Sequence, residues 1–530
     1  MQADFIIVGA GAAGCVLADR LSADGKTRVL VIEAGGMDRN PLIRIPAGFY
    51  YLLRNTALGW GYETDPEPGL DNRRVVFPRG KVVGGSGSIN GLWQSRGFPS
   101  DYDRWAEAGG RDWSYAGLLP YFRKSEAFLD HDVSEQRGDR GPIAVVECEV
   151  HPLTTRFFKG AASLQLPELA DYNSVSGEGY AKVQQTRKGR FRVTSATGYL
   201  HPALRRPNVT LITKAQVTTI NFEGKRAVGV NFERVRGAPE RAIAAREIIL
   251  SAGAINSPHL LQLSGIGPAE LLRSHGISPL IDAPDVGGGL QDHFTGRVVA
   301  KVEDGPSLNQ SSRIPRVWSH VARYLIRGTG ILTYSAANGT AFLRSGPDEV
   351  EPDLQFVFSP ASYSPEGGGR LDPFAAVTCG CWLMRPDSRG SVRLGSPDPY
   401  AAPRFTLGYL QDEADQRKMV AGIRWARRLL QAAFEDEMTE VRPGPQADSD
   451  ADILGYLRQT GSTVFHPVGS CRLGSDDHAV VDPELRVRGV DGLRVVDASI
   501  MPTVPSSNTH APVVAIAEKA ADLIRNPAAG

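Results

Sequence analysis

Gly9, Gly11 and Gly14 stand in the order GxGxxG directly after the apolar run 5–8, and a second apolar run, 29–32, ends on Glu33. These residue types at these offsets can hold a dinucleotide. The first glycine permits a tight turn, the second lets the backbone approach a pyrophosphate, and the third lets a helix pack close to a strand. The phosphates would rest on a helix N-terminus, which carries partial positive charge. An acid at the end of the second strand suits the hydroxyls of an unphosphorylated ribose, so the pattern favours FAD or NAD over NADP. Two later segments carry the same mixture of glycine, small polar and apolar residues. Residues 77–97 read FPRGKVVGGSGSINGLWQSRG and residues 253–268 read GAINSPHLLQLSGIGP. Their interleaved apolar residues argue that both are buried, and a buried loop must find partners for its amides.

The elements that must position these residues come from distant parts of the chain. Residues 40–140 read as loops and short helices, so the remaining strands of a dinucleotide fold must come later. Candidates are 209–212, 216–222, 227–233 and 247–251, with a closing strand at 493–496 and a helix over 511–525. Between about 306 and 457 alternating stretches such as 353–358 and 390–394 suggest a mostly antiparallel sheet with a helix at 412–433. The fold class is therefore α/β. A Rossmann-like nucleotide domain (1–155, 190–305 and 458–530) is joined to a substrate domain (156–189 and 306–457) whose antiparallel sheet is backed by helices. A chain of 530 residues is too long for one core.

Composition excludes several classes. The 59 basic and 59 acidic residues cancel, with no long run of one sign, which disfavours nucleic acid as a partner. Five scattered cysteines, Cys15, Cys148, Cys379, Cys381 and Cys471, form no CxxC pair, so neither a disulfide framework nor a metal site is expected. Cys379 and Cys381 are expected on opposite faces of a strand. The chain has no 18-residue apolar span, and its first strand begins close to Met1, which argues against a signal peptide and for the cytoplasm. Peripheral contact with a membrane stays compatible with this pattern.

Four motifs in order, the GAGAAG opening, residues 77–97, residues 253–267 and the closing DASIMPTVPSSNTHAPVVAIAEKAADLI, resemble the signatures of the glucose-methanol-choline (GMC) oxidoreductases, flavoenzymes that oxidise alcohols with FAD. The resemblance makes FAD the first choice over NAD. It implies cofactor contacts at Gly9, Gly11, Ala12, Gly14, Glu33 and Ala34, and in the first signature at Arg79, Val83, Gly84, Gly85, Ser88, Asn90 and Gly91. It implies more at Val217, whose backbone would meet the adenine, at Ala252 and Gly253, and at Asp497, Ala498, Asn508 and Thr509. The position at which some members attach FAD covalently through histidine holds Ile89, so the FAD is expected to be non-covalent.

The family's catalytic pair falls on His466 and Asn508. A neutral imidazole accepts a proton near neutral pH, so His466 would take the hydroxyl proton while hydride moves to flavin N5 and Asn508 holds the alcohol oxygen. The N-terminus of the last helix would point at the flavin and stabilise its reduced, negative form by about 0.3–2 kcal/mol. His510 would contact the flavin or cap that helix. Trp93 and Phe465, with His510, are candidates for the substrate pocket, and Trp60, Tyr62, Phe356, Phe358 and Trp382 are further wall candidates. An aromatic rim favours aryl or medium-chain primary alcohols over sugars. A choline-type substrate needs a carboxylate or an aromatic cage, and neither is legible. The electrons would pass to a quinone-type or artificial acceptor, with an oxidase using O2 as the alternative. Hydroxynitrile lyases and fatty-acid photodecarboxylases share the fold and form the remoter readings.

Overall fold

Two seven-stranded sheets carry the fold. The computed structural model describes residues 1–130, 134–234, 237–303, 305–364 and 370–526. The first sheet gathers strands from the start, middle and end of the chain in the order Val209–Thr213, Val29–Glu33, Gln2–Val8, Pro239–Leu250, Arg226–Arg234, Ala215–Glu223. Leu493–Val495 pairs with the far end of Pro239–Leu250. Gln2–Val8 runs parallel to both of its neighbours. Val29–Glu33 is buried at all five positions, as a parallel strand covered on both faces must be.

The Ala12–Leu21 helix starts at Gly11, which offers no side-chain cap, so its first-turn amides are left for a ligand. Gly14 holds this helix against the turn: a Cβ there would sit 2.0 Å from the Gly9 carbonyl oxygen. The closing helix, His510–Arg525, packs on the Ala12–Leu21 helix. Arg20 and Glu518 tie the two together with a 2.7 Å ion pair.

The second sheet runs in the order Met438–Arg442, Phe294–Val302, Ala376–Leu383, Leu354–Ser359, Gly339–Leu343, Gly179–Lys182, with each adjacent pair antiparallel. The Glu413–Phe434 helix covers one face of it. Asp412 starts that helix by accepting the Ala414 amide at 2.7 Å.

Several expectations need correction. The second sheet begins before residue 305, because Phe294–Val302 pairs with Ala376–Leu383 along seven residues. Ser462–Thr463 also joins it, although the sequence reading placed 458 onward with the first sheet. Phe294–Val302 is buried on both faces over most of its length, so it lacks the alternation that would have marked it as a sheet strand. The 390–394 stretch forms a separate two-stranded hairpin, Ser391–Arg393 with Arg404–Thr406. Cys379 and Cys381 share one face of their strand, since side chains two apart point the same way. Both are buried in one core cluster.

Candidate active site

A cavity of about 850 Å³ lies between the two sheets, large for a ligand pocket. At one end it is lined by Gly9, Gly11, Ala12, Glu33 and Ala34, and at the other by His466, Asn508, Thr509 and His510. Arg79, Gly85, Asn90, Gly91, Val217, Ala252, Gly253, Asp497 and Ala498 also line it. Gly14, Val83, Gly84 and Ser88 do not reach it. Gly14 sets helix packing, and Ser88 folds the first-signature loop by donating its hydroxyl to the Val83 carbonyl at 2.8 Å. Gly84 takes a φ of +88° at the head of that turn.

The nucleotide end fits FAD by shape. A Cβ on Gly9 would lie 2.6 Å from the Ser251 carbonyl oxygen, and one on Gly85 would lie 2.8 Å from the Gly11 Cα. Only bare backbone lets these loops approach each other and leave room for a pyrophosphate. The Glu33 carboxylate accepts the amides of Ala10 (2.8 Å) and Gly35 (2.7 Å), which fixes it at the end of its strand with lone pairs to spare for ribose hydroxyls. Burial raises its pKa, against those two amides. Asp497, on the cavity wall, ties several segments of the site together. It accepts Gly253 N (2.8 Å), Ser257 Oγ (2.6 Å), Ser499 N (2.8 Å) and Ser499 Oγ (2.6 Å).

The other end is built around His466. Its Nδ1 lies 2.9 Å from Nδ1 of His293, whose Nε2 lies 2.9 Å from the Met384 carbonyl oxygen. A carbonyl can only accept, so His293 carries its proton on Nε2 and presents a bare Nδ1. His466 Nδ1–H then donates to it. That leaves His466 Nε2 as the unprotonated nitrogen, and it faces Asn508 Nδ2 at 3.0 Å. Burial, then His293 and Arg79, holds the His466 pKa well below its ordinary value, so the ring is neutral at neutral pH.

The loop that bears His466 is held under strain. Phe465 has a φ of +69°, an outlier for a bulky aromatic residue. Asp292 holds the loop in place: its carboxylate accepts the His466 amide (2.5 Å) and the Tyr409 hydroxyl (2.5 Å), and also the Thr463 hydroxyl. Burial pushes the pKa of Asp292 up to about 6 in spite of these donors. Arg79 donates to the Phe465 carbonyl at 2.8 Å, joining the first signature to this loop.

Trp60, Tyr62, Trp93, Trp382 and Phe465 line the cavity, whereas Phe356 and Phe358 lie in the hydrophobic core. His510 is the first residue of the closing helix, which has no side-chain cap; its Nε2 lies 3.2 Å from Ser195 Oγ. Asp292 and His293 escaped the sequence reading. The available signal was the polar run Gln291-Asp292-His293 ahead of an apolar strand, but its partner lies some 170 residues away.

The chain belongs to the GMC oxidoreductases, whose family models match residues 3–295 and 386–517. It is an FAD-dependent oxidoreductase acting on alcohols, in the dehydrogenase and oxidase class of this family. It is 39% identical to alcohol dehydrogenase [acceptor] of Pseudomonas putida, over 98% of this chain and 95% of the relative. It is 40% identical to the oxygen-dependent choline dehydrogenase of Chromohalobacter salexigens, over 98% and 94%. Pyridoxine 4-oxidase from Mesorbium loti superposes with a TM-score of 0.89 at 31% identity, covering 99% of each chain. No helix among the described residues is long and apolar enough to cross a membrane.

Proposed function

We propose that this enzyme oxidises a primary alcohol to the aldehyde, with His466 as the base and Asn508 as the hydrogen-bond donor to the substrate oxygen. The observation that carries this reading is the bare His466 Nε2 set against the Asn508 amide. The alcohol hydroxyl donates its proton to Nε2 while its oxygen accepts from Asn508. When bound, FAD supplies the two-electron acceptor for the carbon-bound hydride. The first sheet holds the cofactor, and the second closes over the substrate. Ile89, a buried apolar side chain on the cavity wall, offers no nucleophile for a covalent link, so acid precipitation should release the flavin.

The acceptor is a quinone-type or artificial one, by analogy with the Pseudomonas putida relative. O2 is the second reading, supported by the oxygen-dependent relative and the oxidase neighbour. We place the protein in the cytoplasm or peripherally at a membrane, where a quinone is within reach. The test is anaerobic: an alcohol panel is added to the yellow protein and the flavin absorbance is followed, then air is admitted. Wild type should bleach with at least one primary alcohol and recover slowly in air. His466→Ala should bleach about 10²- to 10⁴-fold more slowly. Unchanged bleaching in that variant would refute the assignment.

A further inference from the structure

We infer that the alcohol carries a carboxylate at its far end and that Arg297 binds it. This rests on the reading of the site as an alcohol-oxidising one and names its substrate class. Arg297 lies on Phe294–Val302, the strand that begins one residue after His293. Its neighbour Gly296 faces the covering helices, where a Cβ would meet Leu457 and Ile423, so Arg297 faces the other way, into the cavity it lines. It is an exposed position in a strand otherwise buried through residue 300, yet protein surrounds it, as for a side chain reaching into enclosed space.

The guanidinium is unanswered. Among the described residues it makes no ion pair and no side-chain hydrogen bond, and its only charge interactions are with Tyr456, Tyr363 and Cys381, none of them ionised at neutral pH. Burial lowers its pKa, but a guanidinium keeps its charge at neutral pH. A cation that lines a cavity and has no counter-charge among the described residues is open to an anionic ligand.

The described residues do not supply that counter-charge. The carboxylates lining the cavity among the described residues are Glu33 and Asp497, and both are committed to the amides and hydroxyls of the nucleotide end. Arg442, also on the wall, already pairs with Asp372. One free guanidinium suits a monoanion, and a carboxylate matches its two-pronged donor geometry. The residue opposite Arg297 across the sheet is Gly380, over which the Arg297 stem packs. Four residues of strand separate Arg297 from His293, a rise of about 13 Å. The carboxylate therefore sits at a distance from the reacting carbon rather than beside it. The same cation repels a quaternary ammonium, which sets this site apart from that of a choline-type substrate.

The experiment compares anaerobic flavin reduction by benzyl alcohol, 4-(hydroxymethyl)benzoate and choline in wild type, Arg297→Lys and Arg297→Gln. Wild type should favour the carboxylate over benzyl alcohol by about tenfold or more in kcat/KM. Arg297→Gln should bring that ratio near one, and Arg297→Lys should fall between. A wild type that reduces with benzyl alcohol or choline at least as well, or an unmoved ratio in Arg297→Gln, overturns the inference. If Arg297→Gln loses its FAD, the wild-type ratio decides alone. Benzoate binding, followed by thermal shift and by perturbation of the flavin spectrum, separates this claim from the oxidation chemistry. If no alcohol bleaches the flavin, alcohol oxidation is refuted. Binding to wild type but not to Arg297→Gln then still supports the anion site, while equal or absent binding overturns it.

Discussion

The protonation pattern of His466 is set by its neighbour His293. Because His293 must donate to the Met384 carbonyl, it can only accept from His466, and the proton of His466 is thereby fixed on Nδ1. His293 is a positioning residue in this scheme. In His293→Leu the His466 ring loses its acceptor and can protonate either nitrogen, so flavin reduction should slow by about ten- to a hundredfold. The His466 pKa should also move. It lies well below the ordinary value, with burial as the largest cause and His293 as the next. Wild type therefore keeps its base neutral through pH 6–7, with the acid limb of kcat/KM well below 6.5. Removing one lowering influence raises that limb toward 6.5. His293→Asn, whose side-chain oxygen can accept in place of Nδ1, should recover part of the rate while the limb stays raised, because the amide carries no charge to oppose the imidazolium. A role in packing alone would slow the reaction without moving the limb.

At the scale of elements, the glycines act through how closely they let backbone approach backbone. Gly14→Ala places a methyl 2.0 Å from the Gly9 carbonyl oxygen, so the Ala12–Leu21 helix must lift from its strand. Overpacking of this kind costs about 1–3 kcal/mol. It also withdraws the helix amides from the phosphate site, so the purified variant should contain less FAD per chain, read from the ratio of flavin to protein absorbance. An unchanged ratio would mean that the helix N-terminus is not what holds the cofactor.

This is also where the limits of the sequence are plainest. Gly9, Gly11, Gly14 and Glu33 could be read because their relation is local, a strand, a turn and a helix at fixed offsets. His466 and Asn508 were reached through resemblance, since nothing near either announces the 3.0 Å contact between them. Asp292, His293 and Arg297 were not reached. Their roles exist only once Phe294–Val302 pairs with Ala376–Leu383 and Ser462–Thr463 and brings residue 466 alongside. A strand buried on nearly all sides shows neither alternation nor a boundary, so the second sheet's start was placed too late.

For the whole molecule, the cavity is where the two sheets meet. Its wall draws on residues from Val8 to Val513 and on both sheets. A ligand filling it therefore stabilises contacts across both halves rather than within one. Stripping FAD should lower the melting temperature of the whole protein as a single transition, and adding FAD back should restore it. At free FAD a hundredfold above Kd the gain is about 2.7 kcal/mol. The alternative, two bodies that unfold separately, predicts two calorimetric transitions of which only the one containing Gly9 and Glu33 responds to FAD. The wall argues against it. Arg79 of the first signature bonds the Phe465 carbonyl, and Asp292, at the root of the second sheet's Phe294–Val302 strand, bonds the His466 amide. Melting either half thus dismantles the loop that bears His466. Calorimetry with and without FAD, with flavin fluorescence followed in parallel, should show release of the cofactor and loss of the fold at the same temperature.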